Sequence, residues 1–182
     1  NICFLLEMAP DPVKHCPDLL LLVAGEGPAL PALRAQAARL GLSEAVRFTG
    51  YLDRHRDLPD CYAAADVFVF ASRTETQGLV LLEAMAVGLP VVAFAEMGTI
   101  DILAPRQGCR VPAEDPAAFA DAVVDILSDA ALRARLGSEA WGYARSWSDE
   151  AMSARLATLY LEYHKKNGNP APWKAHTKAR PA

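Results

Sequence analysis

The sequence predicts an α/β fold with a doubly wound parallel sheet and additional C-terminal helices. Short, wholly apolar runs such as LLLLVAG and VFVFAS alternate with longer segments of helical periodicity. Strands that are apolar on both faces are typical of parallel sheets covered by helices on both sides. From Asp115 onward only helical patterns follow, so we expect the chain to end in helices.

The expected elements follow one another in a regular order. ICFLLEMAPDPVKHC indicates a helix ending at its prolines, LLLLVAG a strand closed by Gly25, and ALPALRAQAARLG a helix stopped by Gly41. VRFTGY and VFVFAS are expected strands on either side of a short helix, DLPDCYAAA. A helix from about Gly78 to Val87, a strand PVVAF, a short segment GTIDIL and a strand GCRV complete the sheet region.

The C-terminal part is expected to contain three helices. They are DPAAFADAVVDILSD with Pro116 at its first position, DAALRARLGSEAWGYARS, and SDEAMSARLATLYLEYHKKN with Ser148 as N-cap. We expect one α/β domain over residues 1–166, followed by a loosely ordered basic tail over residues 167–182.

Composition and charge exclude several classes of protein. A chain of 182 residues is long enough for one domain with a substantial core. A net charge of −4 gives no reason to expect a nucleic-acid partner. No apolar run reaches the roughly 18 residues of a membrane span. The four cysteines are scattered and form no metal motif, which is typical of reduced thiols in the cytoplasm.

Two glutamates near one predicted ligand edge stand out. Glu75 lies in the loop after the strand VFVFAS, and Glu83 follows it eight positions later in the next helix. Loops at the carboxyl ends of parallel strands bind ligands, and a helix N-terminus attracts phosphate. Gly78 has no side chain, so a phosphate can reach the backbone amides at this terminus. The carboxylates of Glu75 and Glu83 can accept hydrogen bonds from sugar hydroxyls. This layout suits a nucleotide-sugar, with hydroxyls on both sides of a diphosphate.

Purely structural interpretations exist for the same residues. Glu75 could be a solvated loop acid, and Glu83 an acid at the edge of the core satisfied by a lysine or a backbone donor. The glycines at positions 25, 27 and 50 could be turn residues only.

An ordered set of motifs then resembles a known family. LVAGEGP, VRFTGYL, AADVFVFAS, TETQGLVLLEAMAVGLPVVA and MGTIDIL occur in that order. Together, with the E-x7-E spacing, they resemble the donor half of GT-B glycosyltransferases, in particular the retaining family 4. The resemblance covers roughly residues 19–115.

The resemblance implies a role for each candidate site residue. Glu75 would contact hydroxyls of the donor sugar as the catalytic residue, and Glu83 would bind the ribose. The remaining donor-binding positions would be the diphosphate amides of Gln77, Gly78 and Leu79, the nucleobase loop at Gly50, Tyr51 and Leu52, and the crevice from Gly25 to Gly27. We expect no metal site in this chain and no cofactor beyond the nucleotide-sugar substrate, for which uridine is the commonest base in the family. Its mechanism is front-face, without a covalent enzyme nucleophile.

The resemblance also implies parts that this chain does not contain. Family members begin the donor domain with a strand and a loop carrying an arginine and a Lys-Asn pair, whose asparagine we expect to be Asn1. The first strand, both cations and the N-terminal acceptor domain would then precede residue 1. We therefore expect the hexosyltransferase activity of the full-length protein to be absent from this chain alone. An unpaired strand edge would favour self-association.

Two other classes of function remain open at this point. One is a binding module whose glutamates have no catalytic partner. The other is a GT-B relative such as a sugar-nucleotide epimerase or a phosphorylase, although a phosphorylase needs a cofactor-linked lysine and none lies between Lys14 and Lys165. We expect a cytoplasmic protein involved in glycan biosynthesis. Its basic tail would add weak attraction to the inner membrane surface.

Overall fold

The structure contains parallel strands connected by helices. It is a computed structural model that describes residues 1–167. Within these residues the strands are β1 (Leu21–Ala24), β2 (Val46–Gly50), β3 (Phe68–Phe70), β4 (Val91–Ala93) and β5 (Cys109–Arg110). They form two parallel sheets, β1–β2 and β3–β4–β5. The predicted α/β class is therefore confirmed, but one continuous sheet was expected and two are present.

Helices connect these strands in the predicted order. The described part contains α1 (Ile2–Met8), α2 (Pro10–His15), α3 (Leu30–Arg39), α4 (Asp57–Ala64), α5 (Leu79–Ala86), a 3-10 turn (Met97–Thr99), α6 (Ile100–Leu103), α7 (Pro116–Ser128), α8 (Ala130–Arg145) and α9 (Asp149–Lys166). Gly41 has a left-handed φ of 72° just after α3, as its predicted role as a stop requires. Asp115 and Ser148 cap α7 and α9, accepting hydrogen bonds from the Ala118 and Ala151 amides.

The first helix ends just before Pro10, as predicted, with Ala9 as its C-cap. The sequence did not indicate that a second helix, α2, begins at Pro10 itself. A proline fits the first turn of a helix because its missing N–H has no intrahelical partner there. Pro10 therefore marks both the end of α1 and the start of α2.

Helix α1 packs against both sheets. Phe4 and Met8 belong to a hydrophobic cluster with Phe94 of the segment after β4 and Phe119 of α7. The ring centroid of Phe4 lies 4.9 Å from that of Phe94 and 5.4 Å from that of Phe119, and both pairs are in edge-to-face contact. Leu6 lies in a second cluster, with α3 and the residues flanking β2. One short helix thus joins the cores beneath the two sheets.

Contacts along the chain divide it into two units, residues 1–144 and residues 145 onward. The first unit holds all the described strands and all residues of the candidate site. In the second unit the structure describes α9, none of whose residues is buried. The predicted boundary at residue 166 stays a prediction, and the predicted tail lies, apart from Asn167, outside the described residues. No helix in the described chain combines the length and apolar character needed to cross a membrane.

Candidate functional site

An open cleft of about 450 Å³ lies where the loop after β2 meets the N-terminal half of α5. The cleft brings together most of the residues singled out from the sequence. Its lining residues are Tyr51, Leu52, Arg54, Leu58, Glu75, Gln77, Leu79, Val80 and Glu83. Gly78, the N-cap of α5, lies between the lining residues Gln77 and Leu79 in the chain.

Glu75 binds the helix terminus itself. Its Oε1 accepts hydrogen bonds from the backbone N–H groups of Gln77 and Gly78, both at 2.9 Å. These bonds favour the ionised form and hold the pKa of Glu75 below its usual range. Two of the amides predicted to bind phosphate are therefore occupied by this carboxylate, and a diphosphate would have to displace it.

Position 78 requires a glycine, both for its backbone conformation and for its close packing. It has a φ of +71°, in the left-handed region, and a Cβ there would lie 2.6 Å from Ile102 Cδ1. That Cβ would therefore point at α6, so the glycine is explained by the interior of the fold as well as by access to the amides.

Glu83 is not a bare buried charge. Its Oε1 accepts a hydrogen bond from Arg54 Nη2 at 2.7 Å, and its Oε2 accepts one from the Tyr62 hydroxyl at 3.4 Å. Burial, followed by the charge and hydrogen bond of Glu83, raises the pKa of Tyr62 to about 12. Tyr62, which is protonated at neutral pH in any case, thus keeps its proton into the alkaline range. The ionic partner of Glu83 is an arginine, where a lysine or a backbone donor had been considered.

The glycines after β1 lie beside the cleft and not in its lining. The Gly25 amide donates to the Gly50 carbonyl oxygen at 2.8 Å, which ties the end of β1 to the end of β2. Between Gly25 and Gly27, the Glu26 carboxylate accepts a hydrogen bond from the Tyr51 amide at 3.4 Å. Gly25 and Glu26 are thus hydrogen-bonded to the end of β2 and to the loop that carries Tyr51.

The sequence analysis missed Arg54, Tyr62 and Glu26. Glu26 could have been found, since an acid between two glycines at a strand end is visible in LVAGEGP. Arg54 and Tyr62 lie 29 and 21 positions from Glu83, and no sequence pattern links residues so far apart. Within residues 1–167, no cluster of His, Cys, Asp and Glu side chains could hold a metal ion.

The segment after β4 supports the loop that carries Glu75. The Gly98 amide donates to the Glu75 carbonyl oxygen at 3.0 Å, and a Cβ on Gly98 would overlap the Thr76 carbonyl group and lie 2.6 Å from the Gln77 nitrogen. Thr99 is fully buried, and its hydroxyl donates to carbonyl oxygens of the same segment. The two loops are therefore in backbone-to-backbone contact.

Replacing Gly98 with alanine is expected to lower the free energy of unfolding by about 1–3 kcal/mol, the usual cost of overpacking. The clash is with backbone, which cannot move aside as a flexible side chain would. Urea denaturation would measure the change as a lower midpoint at constant slope. Gly142→Ala is the matched control, because nothing lies within 4 Å of its added Cβ. Equal stability of the two variants would contradict the close packing of these loops.

Comparison with known proteins identifies the family. The profile of the family described as "Glycosyl transferases group 1" matches residues 1–129. A GDP-mannose-dependent monoacylated alpha-(1-6)-phosphatidylinositol monomannoside mannosyltransferase of Corynebacterium glutamicum is 31% identical over 163 residues, covering 85% of this chain and 42% of the relative. A D-inositol 3-phosphate glycosyltransferase of Corynebacterium efficiens is 36% identical over 154 residues, covering 80% of this chain and 35% of that relative. The chain thus spans less than half the length of either relative.

A solved structure supports the same assignment. The C-terminal domain of a glycosyl transferase group 1 family protein (LpcC) from Francisella tularensis superimposes with a TM-score of 0.70 at 26% identity, over 80% of this chain and 77% of that domain. The structural neighbours are GT-B glycosyltransferases, in agreement with the predicted fold. The chain belongs to the glycosyl transferases group 1 family.

Proposed function

We propose that this chain is the donor-binding part of a retaining, family 4 type hexosyltransferase. The full-length protein would move a sugar from a nucleotide-sugar to an acceptor. The observation that carries the proposal is the arrangement of the cleft, in which the amides before α5 bind an anionic oxygen while a second carboxylate lies in the same lining. Helix N-termini bind phosphate by the same amides.

Donor binding would exchange the partners of Glu75. A diphosphate oxygen would take the amides of Gln77 and Gly78, with Leu79 next to them, and release the Glu75 carboxylate. The freed carboxylate could then accept hydrogen bonds from hydroxyls of the sugar. Glu83 would accept from the ribose, and Tyr51 and Leu52 would lie against the base.

The charge of the cleft indicates that further cations are needed. Arg54 is the only cation in its described lining, beside the two carboxylates of Glu75 and Glu83. A diphosphate leaving group is stabilised by positive charge that is already in place. We propose that the arginine and lysine come from a segment before Asn1, and that the acceptor domain lies there too, so that the chain alone is inactive.

The divided sheet suggests where such a segment would bind. Among the described strands, β1 and β3 each pair with one neighbour and so have one edge without a partner strand, and α1 packs against the clusters beneath both. A further parallel strand between them would give the strand order of a doubly wound fold. Without it, the same edges would favour self-association.

The acceptor and location are further parts of the proposal. The Corynebacterium glutamicum relative acts, by its name, on a phosphatidylinositol mannoside, which supports a lipid-linked acceptor and a site at the inner membrane surface. The free thiols of Cys3, Cys16, Cys61 and Cys109 suit the reducing cytoplasm.

Calorimetric titration with UDP, GDP and ADP, and then with their sugar conjugates, tests the donor assignment. The full-length protein should bind one nucleoside diphosphate saturably and prefer one base, and this chain alone should bind it more weakly. Absence of binding by the full-length protein would favour a module with structural glutamates. An epimerised donor, or sugar phosphate released without an acceptor, would instead favour an epimerase or a phosphorylase.

A further inference from the structure

Arg54 and Tyr62 donate hydrogen bonds to different oxygens of the Glu83 carboxylate. Arg54 donates to Oε1 and Tyr62 donates to Oε2, so each oxygen has one donor from residues 1–167. A carboxylate oxygen has about two lone-pair positions. Each oxygen of Glu83 therefore keeps one free acceptor position. Two acceptors on one rigid carboxylate match two vicinal hydroxyls.

The loop that carries Arg54 is itself held in place. The carboxylate of Asp53 accepts a hydrogen bond from the His55 amide at 2.9 Å, across Arg54. The Asp53 amide donates to Asp57 Oδ2 at 3.4 Å, which ties the loop to the first turn of α4. Tyr62 lies on the same helix. Both donors to Glu83 are thus fixed by one short segment between β2 and β3.

The ion pair between Arg54 and Glu83 is more exposed to solvent than a buried contact that would stabilise the core. The Arg54 side chain is 67% exposed and that of Glu83 is 34% exposed. Exposed ion pairs contribute little to stability, so the fold gains little from this one. Both residues line the cleft proposed to bind the donor, where the pair can instead set the position of the Glu83 carboxylate.

We propose that Arg54 is a positioning residue for ribose recognition: with Tyr62, it holds the Glu83 carboxylate so that one free acceptor position on each oxygen faces the 2′- and 3′-hydroxyls of the donor nucleotide. This inference rests on the proposed donor-binding function. It assigns Arg54 a part in distinguishing ribose from deoxyribose, which a cation that merely attracts the diphosphate would not have.

The test compares the affinity of a nucleoside diphosphate with that of its 2′-deoxy counterpart. The full-length protein should bind the ribonucleotide about tenfold or more tightly, as expected for a lost hydrogen bond to a charged group. In Arg54→Ala this ratio should fall to about two or less, because the carboxylate is no longer held. Arg54→Lys should restore part of the ratio, and Tyr62→Phe should lower it less than Arg54→Ala does.

Arg56→Ala is the matched control. It removes the same charge two positions away, from an exposed residue outside the cleft lining, and should keep the wild-type ratio. Urea denaturation of each variant checks that all of them fold equally well. An Arg54→Ala variant that binds both nucleotides more weakly but keeps the wild-type ratio would overturn the positioning role and leave the donor-binding function standing. Wild-type protein that binds both equally would also overturn it, and wild-type protein that binds neither would overturn both proposals.

Discussion

Replacing Glu75 with alanine in the full-length protein is expected to lower kcat by about a hundredfold or more, the loss typical of one group that acts on the transition state. The affinity for the bare nucleoside diphosphate should stay unchanged or rise. The reason is that Glu75 occupies the amides of Gln77 and Gly78, so its removal frees them for phosphate. Steady-state kinetics with the donor and calorimetry with the diphosphate measure the two effects separately.

Glu44→Ala serves as the control for this experiment. Glu44 is an exposed acid before β2, outside the cleft lining, and its removal changes the net charge by the same amount. A loss of diphosphate affinity in Glu75→Ala with normal kcat would contradict the role given to Glu75.

Replacing Glu83 with glutamine is expected to weaken nucleoside diphosphate binding by about ten- to hundredfold, the range for a lost hydrogen bond to a charged group. The substitution keeps the shape of the side chain but places an NH₂ donor where one carboxylate oxygen accepts. It also leaves Arg54 without its ionic partner at 2.7 Å. Calorimetric titration measures the affinity, and thermal unfolding checks that the helix is intact.

The two glutamate variants are informative as a pair. Glu83→Gln should act on nucleotide affinity, whereas Glu75→Ala should act on turnover. The same loss of nucleotide affinity in both variants would contradict the division of roles between them.

Much of the fold could be predicted from local sequence patterns. The alternation of strand-like and helix-like segments predicted every described strand, although each strand is shorter than its predicted segment. Capping by Ser148 was predictable because a cap and the amide that it binds are three positions apart. Helix α2 was missed because a proline that follows the end of one helix and a proline that begins the next look alike in sequence.

The candidate site was predictable only as a set of positions. Glu75 and Glu83 were found because a strand, a loop and a helix follow each other directly, which fixes the ligand edge of a parallel sheet. That both line one cleft with Tyr51 and Leu52 agrees with this reasoning. The partners of the two carboxylates could not be found in the same way.

The sequence by itself determined the fold class, the order of the elements and the positions proposed for the candidate site, since these depend on periodicity and on neighbours along the chain. The tertiary structure alone decided that the strands form two sheets joined beneath by α1, and that Glu83 is held by Arg54 and Tyr62. It also decided that Glu75 lies on the amides expected to bind phosphate. The physical reason is that a hydrogen bond or a strand pairing depends on which groups meet in space, and groups 20 or more positions apart leave no periodic mark in the sequence.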